Sequence, residues 1–485
     1  MPTKYLKMIL NSPVYDVAQE TPLEKAPRLS DKLENNIFIK REDLQPVFSF
    51  KIRGAYNKLV QLSPSEKQRG VIAASAGNHA QGVALAAERL GIKATIVMPE
   101  TTPEIKVDGV KKFGARVILN GDDFSTAFAK AQEIANENSL VFIPPFDDPF
   151  VIAGQGTIAL ELLRQYTKSI HAIFVPIGGG GLIAGIGSYI KMVRPEIKII
   201  GVESDESASM YASIKKGRRI TLKNVGIFAD GVAVAQVGKE PFRLAKKVVD
   251  EIVLADVDQI CAAVKDLFED TRAIAEPSGA LAVAGMKNYI RDNKISSKTL
   301  IAINCGANVS FDRLRHISER ANYSEAREAL FAVTIPERKG SFLEFCKVLG
   351  KRSITEFNYR YSSPKEAHIF VGLGLTEGEN ERLKIQRVFQ QHGYETEDLT
   401  ENDMAKLHIR HMVGGRLNND EVERIYRFEF PERPGALLNF LNRMGQKWNI
   451  SLFHYRNHGS AFGRVLCGFQ IPHALFPTFN EFLES

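Results

Sequence analysis

The chain has 485 residues, too many for one ordinary core, so two or three domains are expected. Its 63 basic and 57 acidic residues leave a formal +6 spread along the sequence without a basic arm, which argues against nucleic acid as a partner. Cys261, Cys305, Cys346 and Cys467 lie far apart with no Cys-x-x-Cys pair, so neither a disulfide framework nor a zinc site is expected, and a reducing cytoplasm fits.

In chain order, Met1 to Glu20 shows no apolar core followed by a small-residue cleavage site, so no secretory signal is read there. From Ile37 the pattern settles into short apolar strands alternating with helix-length segments. Candidate strands are Ile37–Lys40, Val71–Ala74, Ala94–Met98, Ala115–Leu119, Leu140–Ile143, Ala172–Val175, Lys198–Val202 and Thr299–Ile303. Such alternation predicts an α/β fold with parallel sheet. Two lobes are expected, one from Ile37 to about Phe146 and the other reaching to about Asn322. Ala172 to Ile190 is a run of 19 residues without a charge, long enough to raise a membrane span. Pro176 and six glycines inside it make a strand, a loop and a helix start the better reading, with no membrane partner.

Within this frame, Lys51 sits between Phe50 and Ile52. Full burial would lower its pKa and free its amine, as a Schiff-base lysine requires. A lysine whose stem packs on a helix and whose head snorkels to water is the plainer reading of Lys51 by itself. Twenty-four residues on, Ser75, Ala76, Gly77, Asn78 and His79 form a turn between a buried strand and a helix, where backbone N–H groups favour an anion. Gly178, Gly179, Gly180, Gly181 and Leu182 lie between another strand and helix, where a phosphate can approach the backbone. Gly179 to Ala184 also fits the G-x-G-x-x-A pattern, with Glu203 closing the next strand where a dinucleotide ribose would want a carboxylate. A dehydrogenase, however, has no use for Lys51 beside a second anion nest, and its fingerprint usually opens the domain.

Ser49 to Ala55, Ser75 to His79 and the four-glycine run together resemble the pyridoxal-phosphate enzymes of the tryptophan-synthase-like class, and among them the threonine and serine dehydratases. The resemblance implies that Lys51 carries pyridoxal 5'-phosphate and serves as catalytic base. Phe50, Asn78, Gly178 to Gly181, Leu182 and Cys305 would bind the cofactor, with Cys305 facing the pyridine nitrogen. Ser75, Ala76, Gly77, Asn78 and His79 would hold the substrate carboxylate. Cys305 taken by itself is equally a small buried thiol filling space. Ala275 to Ala280 resembles a family stretch beside the active site, but Glu276 reads equally well as a helix-start carboxylate. Relatives that racemise serine carry serine where this chain has Ala76, so racemisation is disfavoured. With Ser207 and Ser209 where those relatives place metal ligands, no metal is expected. The substrate would be L-threonine, with L-serine as the alternative.

Beyond Asn322 an internal repeat appears. Phe331, Pro336, Glu337, Arg338 and Gly340 match Tyr426, Pro431, Glu432, Arg433 and Gly435 at a spacing of 95 residues. Phe357, Tyr359 and Arg360 match Phe453, Tyr455 and Arg456 at 96, which marks a duplication. Each unit resembles an ACT-like amino-acid-sensing module, with a βαββαβ order in the first. The expected layout is a two-lobed catalytic domain over 1–322, module one over 323–400, a connector over 401–423, and a second module over 424–485 that stops before its sixth strand. Isoleucine, and valine with the opposite effect, would be the effectors of a cytoplasmic homotetramer. Subunit glue is the plainer role for the pair.

Overall fold

The computed structural model describes residues 2–324, 328–338, 340–360, 365–402, 423–431, 436–444, 448–456, 462–471 and 475–484. The chain divides into two units, Met1–Ala321 and Asn322–Ser485. Among the described residues no helix is long and apolar enough to cross a membrane.

The first unit holds two sheets. The larger runs β1 (Leu23–Lys25), β2 (Asn36–Arg41), β10 (Thr299–Asn304), β7 (Ala172–Pro176), β8 (Lys198–Ser204), β9 (Glu251–Ala255), all parallel except β1. The smaller runs β5 (Arg116–Leu119), β4 (Ala94–Met98), β3 (Val71–Ala74), β6 (Val141–Phe142), and is parallel throughout. Every residue of β3 and β7 is buried. That explains why both read as unbroken apolar runs: helices cover both faces of a parallel sheet. β9 escaped the sequence reading because it is a half-exposed edge strand opening on Glu251.

A start for the smaller lobe at Ile37 needs revision. β2 pairs with β10 from Asn36 opposite Thr299 to Arg41 opposite Asn304, so it belongs to the larger sheet. Parallel partners are joined by long crossovers, and nothing local in β2 announces a partner so far along the chain.

Among its described residues the second unit forms one antiparallel sheet of seven strands, in the order β14 (Glu395–Asp398), β11 (Glu328–Pro336), β13 (Glu366–Gly374), β12 (Ile354–Arg360), β16 (Asn449–Arg456), β17 (Phe462–Gln470), β15 (Glu423–Pro431). Each repeat supplies strand, helix, strand, strand, helix, and the first adds β14. The sheet is continuous because β12 of one repeat pairs with β16 of the other, Phe357 opposite Tyr455 and Tyr359 opposite Phe453. Phe331, Phe345, Phe357, Phe389, Phe453, Phe469 and Phe479 are fully buried in its core. Most of the expected connector, 403–422, and the second repeat's turn at Glu432, Arg433 and Gly435 lie outside the described residues.

Candidate active site

Lys51 opens the helix Lys51–Val60 with Phe50 as its N-cap. Two backbone bonds stitch this entry to the segment after β10. Phe50 N–H donates to the Cys305 carbonyl at 3.3 Å, and Ala307 N–H donates to the Phe48 carbonyl at 2.9 Å. Residues distant in sequence thereby meet beyond the carboxyl ends of the strands, where α/β sheets bind ligands.

Behind the helix lies a fully buried charge cluster. Arg53 donates to both oxygens of Glu42, at 2.7 and 2.8 Å, and to both of Glu161, at 2.6 and 3.1 Å. Lys40 donates to Glu161 at 2.6 Å. Burial pushes the Glu42 carboxyl up, but the Arg53 guanidinium overcomes it and holds the pKa below the usual range. The cluster ties the Lys51 helix to the end of β2 and to the helix Pro149–Gln165.

The Lys51 ammonium donates to the Pro145 carbonyl at 3.2 Å and lies 5.2 Å from the Phe50 ring centroid. Burial lowers its pKa to about 8, against the upward pull of Cys305 and Glu276. Burial likewise pushes the Cys305 thiol well above its ordinary value, with Glu276 adding to the effect, so it stays protonated. Its Sγ–H donates to the Ser278 carbonyl at 3.3 Å.

The cleft they share is lined by Phe50, Lys51, Asn78, Gly178 to Gly181, Leu182 and Cys305 of the expected set. The remaining expected residues, Ser75, Ala76, Gly77 and His79, build the turn behind Asn78 and are absent from that wall. His79 is buried, and its Nε2–H donates to the Ile143 carbonyl at 2.9 Å. Burial, then the Lys51 charge, lowers its pKa to about 3, so the ring is neutral. What this turn offers a ligand is backbone N–H groups of the first helical turn, which have no partner within the helix.

Sequence reasoning undervalued Glu276. It is buried, lines the cleft, and its Oε1 accepts from Asn78 Nδ2 at 2.7 Å and Ser278 Oγ at 2.6 Å, while Oε2 accepts from Asn308 N–H at 3.0 Å. Burial and then Asp230 raise its pKa. The motif around Glu276 signalled a neighbour of the site but not this convergence. Phe146, Gly231 and Val232 also line the wall and carried no local signal. Glu203, which a dinucleotide would need, is spent elsewhere: buried, it accepts from the N–H groups of Met210 and Tyr211 at 2.8 and 2.7 Å.

The cleft fits pyridoxal phosphate on its own geometry. Gly180 has φ +90°, which side-chain-bearing residues rarely adopt, and it caps the helix Gly181–Val193, turning free N–H groups toward an anion. A Cβ on Gly179 would lie 2.1 Å from the Phe146 ring. An amine of lowered pKa, a protonated thiol and a glycine cradle at a helix start are the groups an aldehyde-bearing, phosphorylated pyridine needs.

Comparison with known proteins agrees. Residues 14–306 match the family described as pyridoxal-phosphate dependent enzyme, and 319–409 with 414–485 match the C-terminal regulatory domain of threonine dehydratase. The biosynthetic L-threonine dehydratase of Burkholderia multivorans is 55% identical over 484 residues, 99% of this chain and 95% of the relative. That of Escherichia coli is 55% identical over 96% of this chain and 91% of its own. The processed form of threonine deaminase isoform 2 from Solanum lycopersicum superposes with a TM-score of 0.65 at 52% identity, covering 66% of this chain and 88% of that one. The chain therefore belongs to the pyridoxal-phosphate dependent enzymes and, within them, to the threonine dehydratases that carry a C-terminal regulatory domain.

Proposed function

We propose that the chain eliminates water from L-threonine to give an enamine, whose imine tautomer takes up water and releases ammonia, leaving 2-oxobutanoate, with Lys51 as both cofactor anchor and base. The observation that carries this reading is the Lys51 amine, brought to a pKa of about 8 in a cleft walled by four glycines and a protonated thiol. When bound, pyridoxal phosphate supplies an electron-accepting ring that stabilises the carbanion at Cα.

The chain's own residues do the rest. N–H groups at Gly178 to Gly181 hold the phosphate. The N–H groups of Asn78 and His79, at the start of their helix, would hold the substrate carboxylate, since Ser75 N–H is given to the Val97 carbonyl at 3.1 Å and Gly77 N–H to Ser75 Oγ at 3.2 Å, and neutral His79 adds no charge of its own there. Asn78, clamped between Glu276 and Asn308, holds its amide in one orientation at the cleft wall, where it would meet the cofactor. The Lys51 amine, of lowered pKa and held at the cleft wall by the Pro145 carbonyl, would take the α-proton as base. Cys305 would offer the ring nitrogen a weak neutral donor once its Sγ–H turns from the Ser278 carbonyl, whereas a carboxylate would hold a proton there.

Two outcomes test the site. The protein as purified should be yellow, and borohydride should bleach it while fixing the label to the peptide containing Lys51; a protein colourless before reduction, or a label elsewhere, rules the anchor out. Cys305→Ser should keep kcat within about threefold, while Cys305→Asp should shift the absorbance and lower kcat about tenfold or more. An aspartate variant faster than the serine one would overturn the role given to the thiol.

Control belongs to the second unit in this reading. Isoleucine acts there as inhibitor and valine opposes it, in a cytoplasmic homotetramer. A chain ending at residue 324 should still dehydrate threonine but ignore isoleucine, whereas the whole chain should respond through a coupling of about 1–3 kcal/mol. Equal sensitivity in both would leave the second unit as an assembly element only.

A further inference from the structure

The cleft wall at residues 228–232 is held in an unusual way. Val232 packs on the glycine cradle so closely that a Cβ on Gly178 would lie 2.9 Å from its Cα, and a Cβ on Gly231 would lie 2.4 Å from Ser278 Oγ and 3.3 Å from Glu276 Oε1. A displacement of this wall therefore meets the phosphate cradle and the Glu276 cluster at once. The wall belongs to a stretch, 218–238, whose only regular element is the single 3₁₀ turn Asp230–Val232. Backbone bonds tie this stretch at Leu222 to Ala235, at Gly226 to Glu206 and at Gly238 to Gly179, so residues 228–232 take their position from the packing of Ala229 and Val232 and from side chains that reach them from outside.

Those side chains come mainly from one helix, Phe311–Ser324. Arg313 Nη2 donates to the Phe228 carbonyl at 2.5 Å, its guanidinium lies 5.4 Å from the Phe228 ring centroid, and Nη1 lies 3.5 Å from Asp230 Oδ1. His316, one turn on, faces the same ring at 5.8 Å. From the smaller lobe Lys106 reaches Asp230 Oδ2 at 2.6 Å. The ion pairs are partly exposed and weak by themselves. The carbonyl bond and the stacked ring fix direction as well as distance. This helix is also where the first unit ends, at Ala321, and the second begins.

We propose that Arg313 is a positioning residue that holds wall 228–232 against the glycine cradle, and that its helix makes this wall the point where the regulatory unit acts on the cleft. The second half rests on the regulatory reading given above; the first does not. The mechanism is mechanical: a small shift or rotation of the helix carries the Phe228 carbonyl and Asp230 with it, and Val232 then presses on or withdraws from Gly178.

The test uses the full-length holoenzyme with Arg313→Ala and Arg313→Lys. Arg313→Ala should raise the threonine KM about three- to tenfold with kcat within about twofold of wild type, and Arg313→Lys should recover part of the loss. The isoleucine concentration for half-inhibition should rise about tenfold or more in Arg313→Ala, while isoleucine affinity by calorimetry without threonine stays within about twofold. A KM unchanged in Arg313→Ala overturns the positioning role. Unchanged half-inhibition, or a matching loss of isoleucine affinity, overturns transmission through the wall. A wild type that isoleucine does not inhibit refutes the regulatory reading and transmission with it, and KM alone then decides the positioning claim.

Discussion

Lys51→Ala is expected to leave a folded, colourless protein whose turnover of threonine falls by about a factor of 10⁴ or more, because anchor and base are lost in one change. The same variant reports on the amine by a second route. In the cofactor-free wild type the folded state holds Lys51 at a pKa of about 8, below its ordinary value of 10.5. Between these values the unfolded chain binds more protons than the folded one, so this residue makes stability rise with pH across that window. Below the window both states carry the ammonium, and the burial penalty is present in full. The difference between wild type and Lys51→Ala, followed by denaturant midpoint from about pH 7 to 10.5, should show the wild type gaining on the variant. A flat difference would mean that the amine is hydrated in the free protein. Near wild-type turnover would remove Lys51 from the mechanism.

Arg53→Leu should be the most damaging single change to the fold. It leaves Glu42 without its cation and Glu161 with only Lys40, in a site where all four side chains are fully buried. Breaking a buried pair in this way costs about 3–5 kcal/mol, since one charge stays behind uncompensated. The charge count suggests the remedy. Adding Glu42→Gln to Arg53→Leu leaves Lys40 and Glu161 as a balanced pair, so the double variant should recover part of the stability. Denaturant midpoints of the cofactor-free proteins, read at constant slope, measure both. A single variant within about 0.5 kcal/mol of wild type would show that water reaches the cluster.

The core of the site was legible because its parts are local motifs. The Ser75 to His79 turn and the Gly178 to Gly181 run each announce their backbone requirements within a few residues, and Lys51, which alone reads as a snorkelling lysine, gains its meaning beside them. Cys305 needed the family likeness, since a buried thiol says nothing of what it faces. What stayed hidden depends on distant pairing. Glu276 becomes a hub only when Asn78 and Asn308 are folded onto it. Phe146 and Val232 are ordinary apolar residues until their contacts with Gly179 and Gly178 are seen. β2 failed for the same reason: its partner β10 lies at the far end of the first unit, and no periodicity encodes that.

The pairing of β12 with β16 has an evolutionary reading. Phe357 faces Tyr455 and Tyr359 faces Phe453, so each strand meets its own duplicate in antiparallel register. That is the arrangement two identical modules adopt about a twofold axis, each residue's contact reciprocated by its counterpart. An ancestral module pairing with a second copy of itself would have presented these same residues to each other. Fusion turns such a dimer into one polypeptide, and tethering replaces dependence on protein concentration with a fixed effective concentration. Freed from having to serve both sides of a symmetric contact, the two copies can diverge in sequence, as Phe331 against Tyr426 and Lys339 against Pro434 already show.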